Sequence, residues 1–192
     1  FAQLILSENA ADKGVVICYD CRINSALFAR EAAMVMAANG IRVRLFDAMR
    51  PTPELSFAIR EYGAIAGVNV TASHNPKAYN GYKVYWSDGA QLPPEHAAAV
   101  AASIDAIDIF SGIRTMDFAE AEKQGLITLI GAETDEKYLE QVLAQTVDRA
   151  CVQRVADRMR LVYTPFHGTG RLLVPEALRR LGIRHLLSVE QQ

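Results

Sequence analysis

Apolar runs rich in Val and Ile alternate with helix-forming segments through the first part of the chain. Each apolar run has the length of a buried strand, and the segments between the first three runs end at a glycine, as helices often do. A strand–helix–strand order predicts a mainly parallel sheet that is covered by helices and joined by right-handed crossovers. The predicted strands are 14–20, 41–46, 64–70, 81–86 and 125–131, and the predicted helices are 25–40, 51–63, 93–104 and 133–147.

The strand–helix alternation restarts near the end of the chain, after a stretch of weaker pattern. "RLVYTPF" predicts a strand at 160–166 and "HGTG" a loop at 167–170, and a further helix and strand follow. This restart indicates a second domain, separated from the first by a mostly helical connection. The predicted domains are 1–130 for the first, 131–157 for a helical linker and 158–192 for the start of the second.

The composition is that of an ordinary globular protein. Of the 192 residues, 51% are hydrophobic and 22% are charged, and the formal net charge is −2. This near-neutral balance, without a long basic run, argues against nucleic acid as a partner. We also expect no membrane association, because no apolar run approaches the about 20 residues of a spanning helix. The sequence begins at Phe1 in the middle of a pattern and without a basic leader, which suggests a fragment that lacks a secretory signal.

The chain has three cysteines, and two of them form "CYDC". A zinc site needs a second pair of ligands, but the third cysteine, Cys151, lies far along the chain. A redox C-x-x-C is expected at the start of a helix, whereas this one follows a predicted strand. We therefore interpret Cys18 and Cys21 as reduced thiols, which predicts a cytoplasmic protein.

A polar stretch, "NVTASHNPKAYNGYK" at 69–83, begins at the end of the third predicted strand. It places Ser73 beside His74 and ends at Lys83, while Arg22 follows the first predicted strand. Sites in parallel sheets lie beyond the carboxyl ends of the strands, so we expect Arg22 and this loop at one edge. Ser73 is a candidate phosphoryl carrier, because His74, Lys83 and the planar guanidinium of Arg22 suit the charge of a phosphate.

Two other interpretations of this loop stay open on the residues alone. The dipeptides "NP" and "NG" within it favour turns, and an ordinary surface loop is the simpler interpretation. A serine hydrolase is less favoured, because no G-x-S-x-G elbow surrounds Ser73. Adjacent Ser and His residues also seldom form a catalytic pair, since the imidazole must reach back to the hydroxyl. The "HGTG" segment at 167–170 is either an anion cradle or a plain turn.

Three motifs together resemble those of the α-D-phosphohexomutases. They are "TASHNP" followed by "NGYK", "YD-x-R" after the first strand, and "TPFHGTG" at the opening of the second domain. The serine-containing loop looks most like the branch with phosphoglucomutases and phosphopentomutases. The resemblance extends over nearly the whole chain. It implies a three-layer α/β/α domain with a mainly parallel, mixed sheet, followed by the start of a similar domain.

The resemblance implies a phosphosugar mutase. In the family, a serine matching Ser73 carries a phosphoryl group, passes it to a sugar monophosphate and receives a different one from the resulting bisphosphate. The phosphate thereby moves between C1 and C6 of a hexose, or between C1 and C5 of ribose. Residues matching Arg22, His74 and Lys83 line the family's catalytic and substrate-binding site, and Lys83 is the candidate proton shuttle.

The resemblance also implies cofactors and a partner. The cofactors are Mg²⁺, bound in part by a phosphoryl oxygen on Ser73, and glucose 1,6-bisphosphate as an activator. The partner is a small sugar phosphate. No Asp-x-Asp-x-Asp-Arg metal motif occurs in the chain, and the family's later sugar-recognition loops are missing. We therefore expect the first third of a mutase of about four domains, inactive by itself.

One departure lies within the site itself, because Cys21 stands where relatives usually carry Ser or Thr. The competing hypothesis is a non-catalytic domain of the same fold that binds a phosphosugar or a protein partner.

Overall fold

The computed structural model describes residues 1–190, and it divides into two compact units, Phe1–Gly131 and a second unit from Ala132 onward. The elements of the first unit are α1 (Ala2–Ser7), β1 (Val15–Tyr19), α2 (Ser25–Ala38), β2 (Val43–Phe46), α3 (Thr52–Glu61), β3 (Ala66–Val70), β4 (Tyr82–Trp86), α4 (Pro94–Ala106), α5 (Phe118–Lys123) and β5 (Ile127–Ile130). Those of the second are α6 (Ala132–Ala144), α7 (Arg149–Ala156), β6 (Arg160–Tyr163), α8 (Gly170–Arg180) and β7 (His185–Ser188).

The first unit is built on a five-stranded sheet in the order β4-β3-β1-β2-β5. β1 pairs in parallel with both β2 and β3, and β5 pairs in parallel with β2. β4 runs antiparallel to β3, which makes the sheet mixed. The predicted fold class, a three-layer α/β/α domain with a mainly parallel, mixed sheet, is therefore confirmed.

Helices cover both faces of this sheet because successive strand residues point to opposite sides. Val15 and Ile17 belong to a core that also contains the inward residues of α1, α2 and α5. Val16 and Cys18 belong to a second core, which contains the inward residues of α3. Burial of each such aliphatic side chain contributes roughly 1.5–3 kcal/mol, so the alternation in β1 holds both helical layers to the sheet.

A glycine in β3 permits the close packing of α3. A Cβ atom at Gly67 would overlap the side chain of Ile59 and would also contact Leu55. Both of these α3 residues are fully buried. The absence of a side chain at Gly67 therefore lets the helix lie directly on the strand.

The second unit contains a two-stranded parallel sheet, β6-β7, with α8 in the connection between its strands. α6 packs against α8, where Arg180 pairs with Glu136 at 2.6 Å. Val162 and Leu187 are register partners in this sheet and remain mostly exposed. The assignment of 1–130, 131–157 and 158–192 as first domain, linker and second domain stays a prediction.

Several local features differ from what the sequence pattern predicts. Ser25 is a candidate cap for α2, but Asn24 occupies the cap position and the Ser25 hydroxyl donates to Asp20 instead. Three short helices, α1, α5 and α7, are not predicted, because a six- or eight-residue helix shows little periodicity. Two of them begin at an aspartate whose side chain accepts a backbone N–H, Asp117 for α5 and Asp148 for α7.

Candidate active site

The serine loop, residues 71–81, connects β3 to β4 and leaves the carboxyl end of β3. Tyr19 at the end of β1 is the register partner of Val70 at the end of β3. The backbone N–H of Asp20 also donates to the Val70 carbonyl at 3.2 Å, which continues the pairing by one residue. The segment after β1 and the serine loop therefore leave the same edge of the sheet side by side.

Arg22 joins these two segments directly. Its Nη1 donates to the carbonyls of Pro76 at 2.8 Å and Tyr79 at 3.1 Å, and its Nη2 donates to the Ser73 carbonyl at 2.5 Å. Its Nε donates to Asp20 Oδ2 at 3.0 Å. Among the described residues these bonds use four of the guanidinium's five N–H groups. Arg22 thus braces the serine loop, while its predicted contact with a phosphate stays a prediction.

Ser73 adopts a left-handed backbone conformation with φ of +58°. A residue with a side chain adopts this conformation at a cost of roughly 1–2 kcal/mol, so the surrounding bonds must hold it. Its N–H donates to Thr71 Oγ1 at 3.0 Å, and its carbonyl accepts from Arg22. The side chain is exposed, so the backbone is fixed while the hydroxyl faces solvent.

His74 is also exposed, and its Nδ1 lies 3.3 Å from Ser73 Oγ. The two side chains can share one proton, with the direction set by the imidazole tautomer. Within residues 1–190, no carboxylate hydrogen-bonds to His74. The third member of a hydrolase triad is therefore missing from this part of the chain, which agrees with the unfavourable sequence argument.

Lys83 lies at the second position of β4, opposite Asn69 of β3. It is half-buried, and over the described residues its ammonium group forms no hydrogen bond or ion pair. The structure therefore brings Arg22, Ser73 and His74 together at one edge and places Lys83 on the neighbouring strand. A contact between Lys83 and Ser73 is not part of this arrangement.

Sequence reasoning gave no role to several polar residues that order this edge. Asp20 accepts hydrogen bonds from Arg22, Ser25 and Thr71. Asn80 donates to Ser25 Oγ at 2.9 Å and accepts from the N–H of Gly81. The position of Asp20 and Thr71 directly after β1 and β3 was the available signal, because residues there share an edge.

A glycine closes the serine loop at the start of β4. The Gly81 carbonyl accepts from the N–H of Thr71 at 3.0 Å. A Cβ atom at Gly81 would lie 2.7 Å from the Thr71 carbonyl oxygen, closer than carbon and oxygen can approach. Glycine is therefore required for the two ends of the loop to meet.

The cysteines before Arg22 are free thiols, as are all three in the chain. Cys18 lies in the core below α3, where burial raises the pKa of its thiol well above the ordinary value. Its thiolate is thus disfavoured, and Cys21 alone is exposed beside Arg22. This arrangement supports neither a zinc pair nor a redox pair.

Two further searches concern residues 1–190. In this range no three His, Cys, Asp or Glu side chains cluster in a way that would hold a metal ion. No helix in the same range is both long and apolar enough to cross a membrane.

Comparisons with known proteins point to one family. A family profile described as "Phosphoglucomutase/phosphomannomutase, alpha/beta/alpha domain I" matches residues 1–109. A "Phosphoglucomutase" of Staphylococcus saprophyticus is 36% identical over 189 residues, covering 97% of this chain and 33% of that protein. A "Probable phosphoribomutase" of Schizosaccharomyces pombe is 34% identical over 194 residues, covering 95% of this chain and 31% of that protein. The chain thus spans about a third of the length of these relatives.

Solved structures show the same fold. A crystal structure from Thermus thermophilus, described as a phosphomannomutase, matches with a TM-score of 0.76 and 26% identity. That match covers 98% of this chain and 39% of the other. The open form of Paramecium parafusin matches with a TM-score of 0.67 at 19% identity, over 97% of this chain and 38% of the other. The second likeness is one of fold alone.

Proposed function

The chain belongs to the phosphoglucomutase/phosphomannomutase family of α-D-phosphohexomutases, and from that membership we propose that it carries the phosphoserine of a phosphosugar mutase. The phosphoryl group moves between C1 and C6 of a hexose phosphate, or between C1 and C5 of a pentose phosphate. The observation that supports this most is Ser73, whose hydroxyl is exposed while its N–H and carbonyl are both bound.

The proposed reaction has two half-reactions. In the first, a sugar hydroxyl oxygen attacks the phosphorus on Ser73 Oγ, so that a new P–O bond forms and the bond to Oγ breaks. The attacking hydroxyl gives up its proton. In the second, Ser73 Oγ attacks the other phosphoryl group of the bisphosphate, and the sugar oxygen that leaves takes a proton back. Such transfers depend on positioning and on neutralising the charge of the group in transit.

Three side chains complete the proposed site. A phosphoserine carries about −1.5 to −2 charges near neutral pH, so it is stabilised by nearby cations. We assign this role to Arg22 and His74, which flank Ser73. Lys83, whose ammonium forms no ion pair within residues 1–190, is assigned the proton transfers to and from the sugar.

Mg²⁺ and glucose 1,6-bisphosphate belong to the proposal as the cofactor and activator. The described residues contain no cluster of metal ligands, so this chain does not by itself fit a Mg²⁺ ion. It would contribute one ligand, a phosphoryl oxygen on Ser73. For this reason none of the proposed steps is assigned to the metal.

We further propose that the chain acts as part of a longer protein. Its relatives are about three times as long, so most of their residues have no counterpart here. A small sugar phosphate is the proposed partner, with no role for nucleic acid or membrane, and the cytoplasm is the proposed location. The 192-residue chain alone is then inactive, because it lacks the parts that bind the sugar and metal.

The proposal is tested by treating the intact gene product with glucose 1,6-bisphosphate and mapping phosphate by peptide mass. We expect one phosphoryl group, located on the peptide that contains Ser73, and interconversion of glucose 1-phosphate or ribose 1-phosphate with Mg²⁺. The 192-residue chain is assayed in parallel and is expected to give no turnover.

Two results would contradict the proposal in different ways. Sugar phosphate binding without phosphoryl uptake would support the non-catalytic alternative. Robust turnover by the 192-residue chain alone would show that the missing length is not needed.

A further inference from the structure

The two sides of the Ser73 peptide are held by side chains that end on one oxygen atom. Thr71 accepts the Ser73 N–H and donates its own hydroxyl to Asp20 Oδ2 at 2.6 Å. Arg22 donates Nη2 to the Ser73 carbonyl and Nε to the same Asp20 Oδ2 at 3.0 Å. The left-handed backbone of Ser73 is thus tied to Asp20 from both directions.

Asp20 is itself firmly placed. Its Oδ1 accepts the hydroxyl of Ser25 at 2.8 Å, at the first residue of α2, and the N–H of Arg22 at 3.0 Å. Its own N–H bonds to the end of β3. The side chain is only 13% exposed, and bonds to an ionised carboxylate are shorter and stronger than those between neutral groups.

We propose that Asp20 is the positioning residue for Ser73, acting through Thr71 and Arg22. The importance of this position for turnover rests on the proposed function. Asp20 makes no contact with Ser73 Oγ among the described bonds, so it fixes where the hydroxyl stands and takes no part in the chemistry. Two strand ends that are 51 residues apart in sequence are joined by one carboxylate.

An aspartate is required by the pattern of donors. Two donors meet each carboxylate oxygen: the hydroxyl of Ser25 and the N–H of Arg22 at Oδ1, and Thr71 and Arg22 Nε at Oδ2. An asparagine has one acceptor oxygen, so in either orientation of its amide two of these four bonds are lost. Asp20→Asn therefore removes the hold on Ser73 with little change in volume.

The test uses the intact gene product, with hydrogen–deuterium exchange and steady-state kinetics measured well below the melting temperature. In Asp20→Asn, exchange in the serine loop is expected to rise on the order of tenfold, the equivalent of one lost hydrogen bond. The kcat is expected to fall about 10²-fold, as for a reacting group displaced by about an ångström, with KM changed far less.

Variants of Thr71 separate positioning from general damage. Thr71→Val keeps the shape but removes the hydroxyl, so it should reproduce both effects, whereas Thr71→Ser restores the hydroxyl and should return both toward wild type. Asp12→Asn is the matched control, because Asp12 is an exposed carboxylate that pairs with Arg42 on the surface. It should change neither measurement.

The outcomes distinguish this inference from the proposed function. If the wild-type protein takes up no phosphoryl group, the proposed function fails, while exchange in the serine loop still decides whether Asp20 positions Ser73. If the wild type turns over, unchanged loop exchange in Asp20→Asn overturns the inference. Faster exchange with unchanged kcat, or exchange that rises throughout the first unit, also overturns it.

Discussion

Two loops of this protein hold residues in the left-handed conformation, and they are stabilised differently. In the serine loop Ser73 has φ of +58°, and in the loop after β6 Phe166 and His167 have φ of +49° and +60°. Arg22 reaches the serine loop from 51 to 57 residues away. The second loop contains bonds that span two or three residues, such as Gly168 N–H to the Pro165 carbonyl at 2.8 Å.

The difference shows how a strained residue can be coupled to the rest of a fold. A left-handed residue persists only where its surroundings outweigh its conformational cost. At Ser73 those surroundings include the end of another strand, so the geometry of the hydroxyl depends on the sheet. A turn closed by neighbouring residues carries no such dependence, and changes in the two loops should therefore have unlike consequences.

The largest expected effect is that of Ser73→Ala. Without the hydroxyl no phosphoryl group is carried, so turnover of the intact gene product should fall by many powers of ten. The side chain's one described contact is with His74 at 3.3 Å, so the stability cost should be about 1 kcal/mol or less. Peptide mass after bisphosphate treatment and thermal melting measure the two effects.

Ser87→Ala is the control for that variant, since Ser87 is an exposed serine at the other end of β4. It should retain full phosphoryl uptake. Uptake of label by Ser73→Ala would refute the role assigned to the serine loop.

The next effect in size is that of Lys83→Ala. This variant keeps the phosphoryl carrier but loses the proposed proton transfer, so kcat should fall by roughly 10²–10⁴ while the enzyme stays phosphorylated. Rapid-quench kinetics with glucose 1-phosphate separate the two properties. Lys77→Ala, which removes an exposed lysine from the serine loop, should turn over nearly as the wild type does. Equal rates for both variants would remove Lys83 from the mechanism.

Arg22→Lys sharpens the contrast between the loops. A lysine cannot reach three carbonyls at once, so hydrogen exchange in the serine loop should rise by about 10- to 100-fold. Exchange at 164–171 should stay unchanged, because its described bonds are local. Arg42→Lys alters an exposed pair and serves as the control. A comparable rise in both loops would mean that they are not independent.

The smallest expected effect is that of His167→Gly. Glycine removes a left-handed cost of roughly 1–2 kcal/mol but adds about 0.5–1 kcal/mol of backbone entropy to be lost on folding. The net result should be a stabilisation of about 1 kcal/mol or less, visible as a small upward shift of the thermal transition. A lower transition would show that the His167 side chain stabilises its loop.

Local sequence pattern was enough to predict most of the fold. The apolar runs around Val16, Leu45 and Val68 became adjacent strands, because short β-branched segments separated by helices have few other ways to bury both faces. The short helices α5 and α7 escaped prediction, although Asp117 and Asp148 cap them. A cap specifies where a helix starts, but six to eight residues give too little periodicity to identify one.

The sequence by itself determined the sheet, its covering helices and the shared edge of Arg22 and Ser73, since parallel strands end on the same side. The tertiary structure decided how that edge is ordered. Ser25 turned from the helix end to Asp20, and one carboxylate came to hold both Thr71 and Arg22. These bonds join residues far apart in sequence, and their partners are chosen by distance and direction in the folded chain, which local patterns of hydrophobicity do not record.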